Sequence, residues 1–242
     1  VYEHAPVRGI AALSQRSMYR YLLRDYSVYL LVPRTGLLQG TTLADMARDY
    51  AQLMRDNFQT PVDVIGTSTG GSVAQHLAAD YPDIVRRLVL HGTGHELSPR
   101  GKAAQLRTAE LAAQGRWREA SVALLEPMLA DNLGGRVAMW FMSRGMSLSV
   151  PDDPNDLIVT VHAEDAHAFR DRLHEIVAPT LVIDGEDDGF YTPAILRETA
   201  EQGGNAFRHR RLGRPDELRN GALERGLNAQ ILFDRLIGRR GD

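Results

Sequence analysis

The stretch Val62–Ala79 limits the possible folds of this chain more than any other. Val62-Asp63-Val64-Ile65 is a short, β-branched run suited to a buried strand. Gly66-Thr67-Ser68-Thr69-Gly70-Gly71 interrupts it, and Ser72–Ala79 then reads as a helix. Within the interruption lies a G-x-S-x-G, with Ser68 on the turn between strand and helix. The glycines flank a serine whose backbone must be strained, and larger side chains there would clash with the facing strand and helix. Such a turn holds the Ser68 hydroxyl above the sheet edge, beside a helix N-terminus whose dipole favours negative charge. A tight turn that merely contains serine is the competing account, and the second glycine at Gly71 weighs against it.

The flanks supply the rest of a frame. Ser17–Arg24 looks helical, and Tyr26–Val32 is a buried-strand candidate stopped by Pro33. Thr42 with Asp45 three residues on suggests a capping box. Leu43, Met46, Tyr50, Leu53 and Met54 then fall on one helical face, as core packing. Arg86–Leu90 and Thr180–Ile183 read as further strands, and Ala206–Leu212 as the final one. Strands alternating with helices imply a mainly parallel sheet.

The elbow, the strand Arg86–Leu90 and the run Ala178-Pro179-Thr180-Leu181-Val182-Ile183-Asp184-Gly185-Glu186-Asp187-Asp188 together resemble the α/β-hydrolase family, over nearly the whole chain. The resemblance implies an α/β fold with a mostly parallel sheet and helices on both faces. It also implies a single domain over 1–242 with a helical cap inserted at about 96–175. Ser98-Pro99 begins that cap as N-cap and N1. Helical pattern then runs to about His174, with breaks at Gly115, Gly134-Gly135 and Pro151–Pro154. Val137–Met142 is apolar nearly all round, as a helix sandwiched between cap and sheet would be. Trp140 and Met142 within it are candidates to line a substrate pocket, against plain packing.

The totals exclude several classes. With 28 basic against 31 acidic residues the formal net charge is −3, and no basic stripe points to nucleic acid. The absence of cysteine removes a disulfide framework and a thiol nucleophile, with a lean towards the cytoplasm. No apolar run approaches the roughly 20 residues of a membrane span. The chain starts at Val1, which points to an incomplete or processed N-terminus. The partner expected is a small-molecule substrate, and a homodimer is left open.

Within the resemblance, Ser68 is the nucleophile and the backbone N–H of Thr69 forms half of the oxyanion hole. His4-Ala5-Pro6-Val7-Arg8-Gly9 lies near where a second donor loop should fall, but matches it poorly. Asp188 is the triad acid, selected by the Gly-Glu-x-Asp pattern followed by Phe190 and Pro193, with Asp187 as runner-up. The base is the difficulty. Asn220 stands where the family's histidine should, Gly213-Arg214 is a second register, and that loop holds no histidine. His209 or His95 could serve instead, or there is no base. His76 and His91 read as packed or solvated residues. His162, Glu164, Asp165, His167 and His174 read as a solvated, charged helix face rather than a metal site, and the chemistry calls for no cofactor.

The function implied is hydrolysis of a small or medium apolar ester, thioester or lactone. A ligand-binding pseudo-hydrolase is the main alternative, and a cyclase or C–C bond-cleaving enzyme a third. A serine in the elbow argues against hydrolytic dehalogenation, which in this fold needs a carboxylate there.

Overall fold

The computed structural model describes residues 22–24, 26–129, 131–146, 153–185, 188–203 and 206–210, with backbone alone at 24, 184 and 206–210. The chain divides into two compact units, Val1–Gly36 and Leu37–Asp242.

In the first unit, Leu22–Arg24 forms a 3-10 turn. Residues 26–34 carry no regular secondary structure, so the strand expected at Tyr26–Val32 is not formed. A strand needs a ladder as well as β-branched side chains. Without one, Tyr29 and Val32 stand exposed.

The second unit runs α1 (Leu43–Asn57), β1 (Val62–Thr67), α2 (Thr69–Asp80), β2 (Val85–His91), α3 (Pro99–Ala113), α4 (Trp117–Leu125), α5 (Leu133–Met146), α6 (Asn155–Asp165), β3 (Thr180–Asp184), α7 (Pro193–Gln202) and β4 (Ala206–Arg210). The four strands form one sheet in the order β1-β2-β3-β4, and every pairing is parallel. At its C-terminal edge the register aligns Thr67 with His91 and His91 with Ile183.

Local chemistry explains the element boundaries. α1 starts on a capping box: the Thr42 hydroxyl accepts from Asp45 N–H, and the Asp45 carboxylate accepts from Thr42 N–H. Its buried face includes Leu43, Met46, Leu53 and Met54, as the periodicity requires. α3 starts on Ser98, whose hydroxyl accepts from Gly101 N–H at 3.0 Å, with Pro99 behind it. The chain turns from α3 to α4 at Gly115, where φ is +71°.

Two expectations within the helices between β2 and β3 need correction. Gly134 and Gly135 do not break the helix but lie in the first turn of α5, where Gly135 N–H donates to the Asn132 side chain. Nor is α5 sandwiched. Only Ser143 of its residues is buried, while Leu133 is 79% exposed and Phe141 65%. Its aromatic rings pack on each other, Trp140 against Phe141 at 4.7 Å, and Arg144 covers the Trp140 face at 4.0 Å. Among the described residues, no helix is long and apolar enough to cross a membrane.

Candidate active site

β1 ends at Thr67 and α2 begins at Thr69, so Ser68 alone makes the turn. Its φ is +54° and ψ −133°, and among the described residues it is the one non-glycine at positive φ. Such a conformation costs about 1–3 kcal/mol and persists only where the surroundings over-determine it. Here they do. Ser68 N–H donates across to His91 O at 3.1 Å, and Ser68 O accepts from Gly71 N–H at 2.7 Å.

Two glycines make the close approach possible. A Cβ on Gly66 would come within 2.6 Å of Gly71 Cα, and one on Gly71 within 2.1 Å of Thr93 Cγ2. Gly70 differs: nothing lies within 4 Å of a Cβ there, so the expected clash holds for Gly66 and Gly71 and not for the second glycine of the motif. Ser68 itself is exposed at the C-terminal edge of the parallel strands, where sheets of this kind receive ligands. Thr69 follows at the first position of α2, so helix geometry leaves its N–H without an intrahelical partner.

Asp188 sits in the loop after β3. Its Oδ1 accepts from Phe190 N–H at 2.6 Å and Tyr191 N–H at 3.2 Å, which fixes the carboxylate against its own loop. Its charge acts on His91 at the end of β2. Burial pushes the His91 imidazole below its ordinary pKa, and the Asp188 carboxylate partly offsets this. Three neighbouring strand ends thus carry Ser68, His91 and Asp188.

The other candidate bases fare differently. His95 does not open onto the sheet edge: it is buried, with Nδ1 3.1 Å from Thr199 Oγ1 and Nε2 3.7 Å from the carboxylates of Glu96 and Glu198. His209 pairs through its backbone with Ile183. Asn220, Arg214, Asp187 and His4 lie outside the described residues. Trp140 and Met142 are on α5, both more than a third exposed.

The charged stretch around Glu164 is solvated only in part: His162 and His174 are exposed. Glu164 and His167 are buried, and Glu164 Oε1 accepts from Ser72 Oγ at 2.7 Å and Tyr191 OH at 3.0 Å. His167 stacks on Phe169 and lies 5.4 Å from the His76 ring, with no partner for either ring nitrogen. Burial first, and then His76, His95 and Lys102, push its pKa down to about 3, so it is neutral. No group of three or more metal-ligating side chains is found among the described residues.

His91, read from the sequence as packed or solvated, is half-buried. Its signal was a polar residue closing the apolar run Leu88-Val89-Leu90 one strand away from the elbow.

A parallel sheet with a strained serine between strand and helix at its C-terminal edge defines a class. The chain belongs to the α/β hydrolase fold family, whose model matches residues 11–218. It is similar in structure to MGS-M2, an α/β hydrolase enzyme from a Medee basin deep-sea metagenome library (TM-score 0.70, 16% identity, 93% of this chain and 86% of that one). It is also similar to the enol-lactonase from Burkholderia xenovorans LB400 (TM-score 0.65, 23% identity, 84% and 75%). A third likeness is to homoserine O-acetyltransferase from Staphylococcus aureus (TM-score 0.60, 18% identity, 77% and 63%). Identities this low show the fold alone. The reaction has to be argued from the site.

Proposed function

We propose that this chain is a serine hydrolase that cleaves a small or medium apolar ester, thioester or lactone through Ser68. The observation that carries this reading is the positive-φ backbone at Ser68 on the exposed edge of the sheet. Strain of that kind is kept where it presents a reacting group.

In this reading Ser68 Oγ attacks the acyl carbon as its proton passes to an imidazole. The tetrahedral oxyanion is met by the Thr69 N–H and the positive end of α2. The proton then goes to the leaving alkoxide, and water releases the acyl group by the same route. We assign the imidazole to His91, because its ring lies under the Asp188 charge and its strand end is bonded to Ser68. A ring held below its ordinary pKa is neutral at pH 7 and free to accept a proton. Asp188 would stabilise the imidazolium that forms. Helices α3–α6, between β2 and β3, would form the cap, with Trp140 and Met142 offered to an apolar substrate.

One observation favours a second reading, a ligand-binding protein without turnover: the loop 213–222, where the resemblance expects the base, holds no histidine. A fluorophosphonate probe separates the two. Labelling of the protein that Ser68→Ala abolishes supports an activated nucleophile. Silence with a retained ligand would leave the pseudo-hydrolase.

A further inference from the structure

We propose that Glu164 is a positioning residue that locks the elbow to the loop carrying Asp188, through one buried carboxyl oxygen. This rests on the hydrolase reading above for its effect on reactivity, but not for the lock itself.

Glu164 is on α6, 92 residues from Ser72 and 27 from Tyr191 along the chain, and all three side chains are buried together. Its Oε1 accepts at once from Ser72 Oγ at 2.7 Å and from Tyr191 OH at 3.0 Å. Ser72 stands in the first turn of α2, with its N–H directed at Ser68 O, and the Thr69 side chain lies beside the same carboxyl. Tyr191 gives its backbone N–H to Asp188 Oδ1. A single oxygen therefore receives one donor from the elbow helix and one from the acid's loop.

Burial favours the neutral form of the carboxyl, and the hydrogen bonds from Ser72, Tyr191 and Thr69 oppose it. No cation forms an ion pair with it among the described residues, and burial, the largest influence, pushes its pKa up. Oε2 is buried without a partner. A charged carboxylate would place uncompensated negative charge beside the turn where the oxyanion develops, so the neutral acid suits the chemistry. The groups facing it are Ser72 and Thr69 from α2 and the Tyr191 phenol, whose own pKa is raised chiefly by burial and next by Glu164.

Three variants test this in the full chain: Glu164→Ala, Glu164→Gln and Tyr191→Phe. Glu164→Ala should slow fluorophosphonate labelling of Ser68 by about tenfold or more, as expected for stranding two buried donors. Glu164→Gln, a neutral isostere that keeps an acceptor oxygen, should rescue most of that rate, and Tyr191→Phe should fall between. Labelling of Glu164→Ala at the native rate, or no rescue by glutamine, overturns the proposal. Amide exchange read by mass spectrometry does not depend on catalysis. Peptides spanning 66–72 and 188–192 should exchange faster together in Glu164→Ala and not in Glu164→Gln. Exchange that rises in only one peptide, or in neither, sinks the lock even if the wild type never labels. Faster exchange in both with a silent wild type would instead count against the hydrolase reading alone.

Discussion

Helices α2 and α5 are of similar length but are built to opposite plans. Seven of the twelve residues of α2 are buried, including Ser72 and Gln75, and its backbone touches its neighbours through Gly66 and Gly71. One of the fourteen residues of α5 is buried, and its aromatic side chains face outward. The first helix holds a backbone in a conformation it would not choose, which demands close packing. The second presents an adaptable apolar surface, which does not. If Ser68 is the reactive group, chemistry lives where the chain tolerates no change, and substrate choice where it tolerates much.

The sharpest way to break that contrast is to remove the proposed base. His91→Ala should reduce the labelling rate at Ser68 by about 10²–10⁴-fold, the usual contribution of a positioned base. The fold should survive, since His91 is only half-buried at a strand end. Wild-type labelling in this variant would assign the proton to another group, and His209→Ala should then be silent where His91→Ala was not.

Two adjacent glycines sharpen the picture on the stability side. Gly71→Ala drives a Cβ against Thr93, which is fully buried, and should destabilise by about 1–3 kcal/mol in urea unfolding. Gly70→Ala meets nothing, sits in a helix and should be neutral or stabilising by up to about 1 kcal/mol. Equal costs at the two positions would mean that the close approach of α2 to Thr93 is not what fixes the elbow.

The buried polar layer behind α2 should show itself in pH. The His167 imidazole is near pKa 3 when folded against 6.5 for the ordinary ring. A depressed histidine binds fewer protons folded than unfolded between those values, so stability rises with pH across that window and is lost as pH falls. The loss from this group should approach about 1.4 kcal/mol per pH unit below 6.5. Replacing it by His167→Phe should flatten the acid limb of a melting-temperature profile. An unchanged slope would show that the ring finds a partner on protonation.

These contrasts also explain what could be read from the residues alone. The elbow, the Thr42–Asp45 box, the Ser98 cap and the strand at Thr180 are local patterns, each set by residues within a few positions. Burial of Glu164 is not local, because the hydroxyls that make it tolerable come from Ser72 and Tyr191, far along the chain. A helix of alternating charge therefore looked solvated. Tyr26–Val32 failed for a related reason: side-chain pattern was legible, while the presence of a ladder was not. Asp188 could be proposed as the acid from its loop pattern, while the imidazole its charge acts on stands at a strand end whose register only the sheet reveals.

The smallest effect, and the one that tests the other half of the contrast, belongs to α5. Trp140 is 48% exposed and is held by Phe141 and by Arg144, an exposed cation–π contact of about 0.5–1 kcal/mol. Trp140→Ala should therefore cost about 1 kcal/mol or less in stability. With a short-chain ester as substrate the rate of Ser68 acylation should hold, whereas KM for a longer apolar ester should rise several-fold. A pocket wall gives up about 0.8 kcal/mol for each methylene it no longer covers, so the KM ratio should widen with acyl length. Met142→Ala should follow the same trend more weakly. If KM is indifferent to chain length in both variants, the exposed face of α5 does not meet substrate, and selectivity must be sought on α3 or α6.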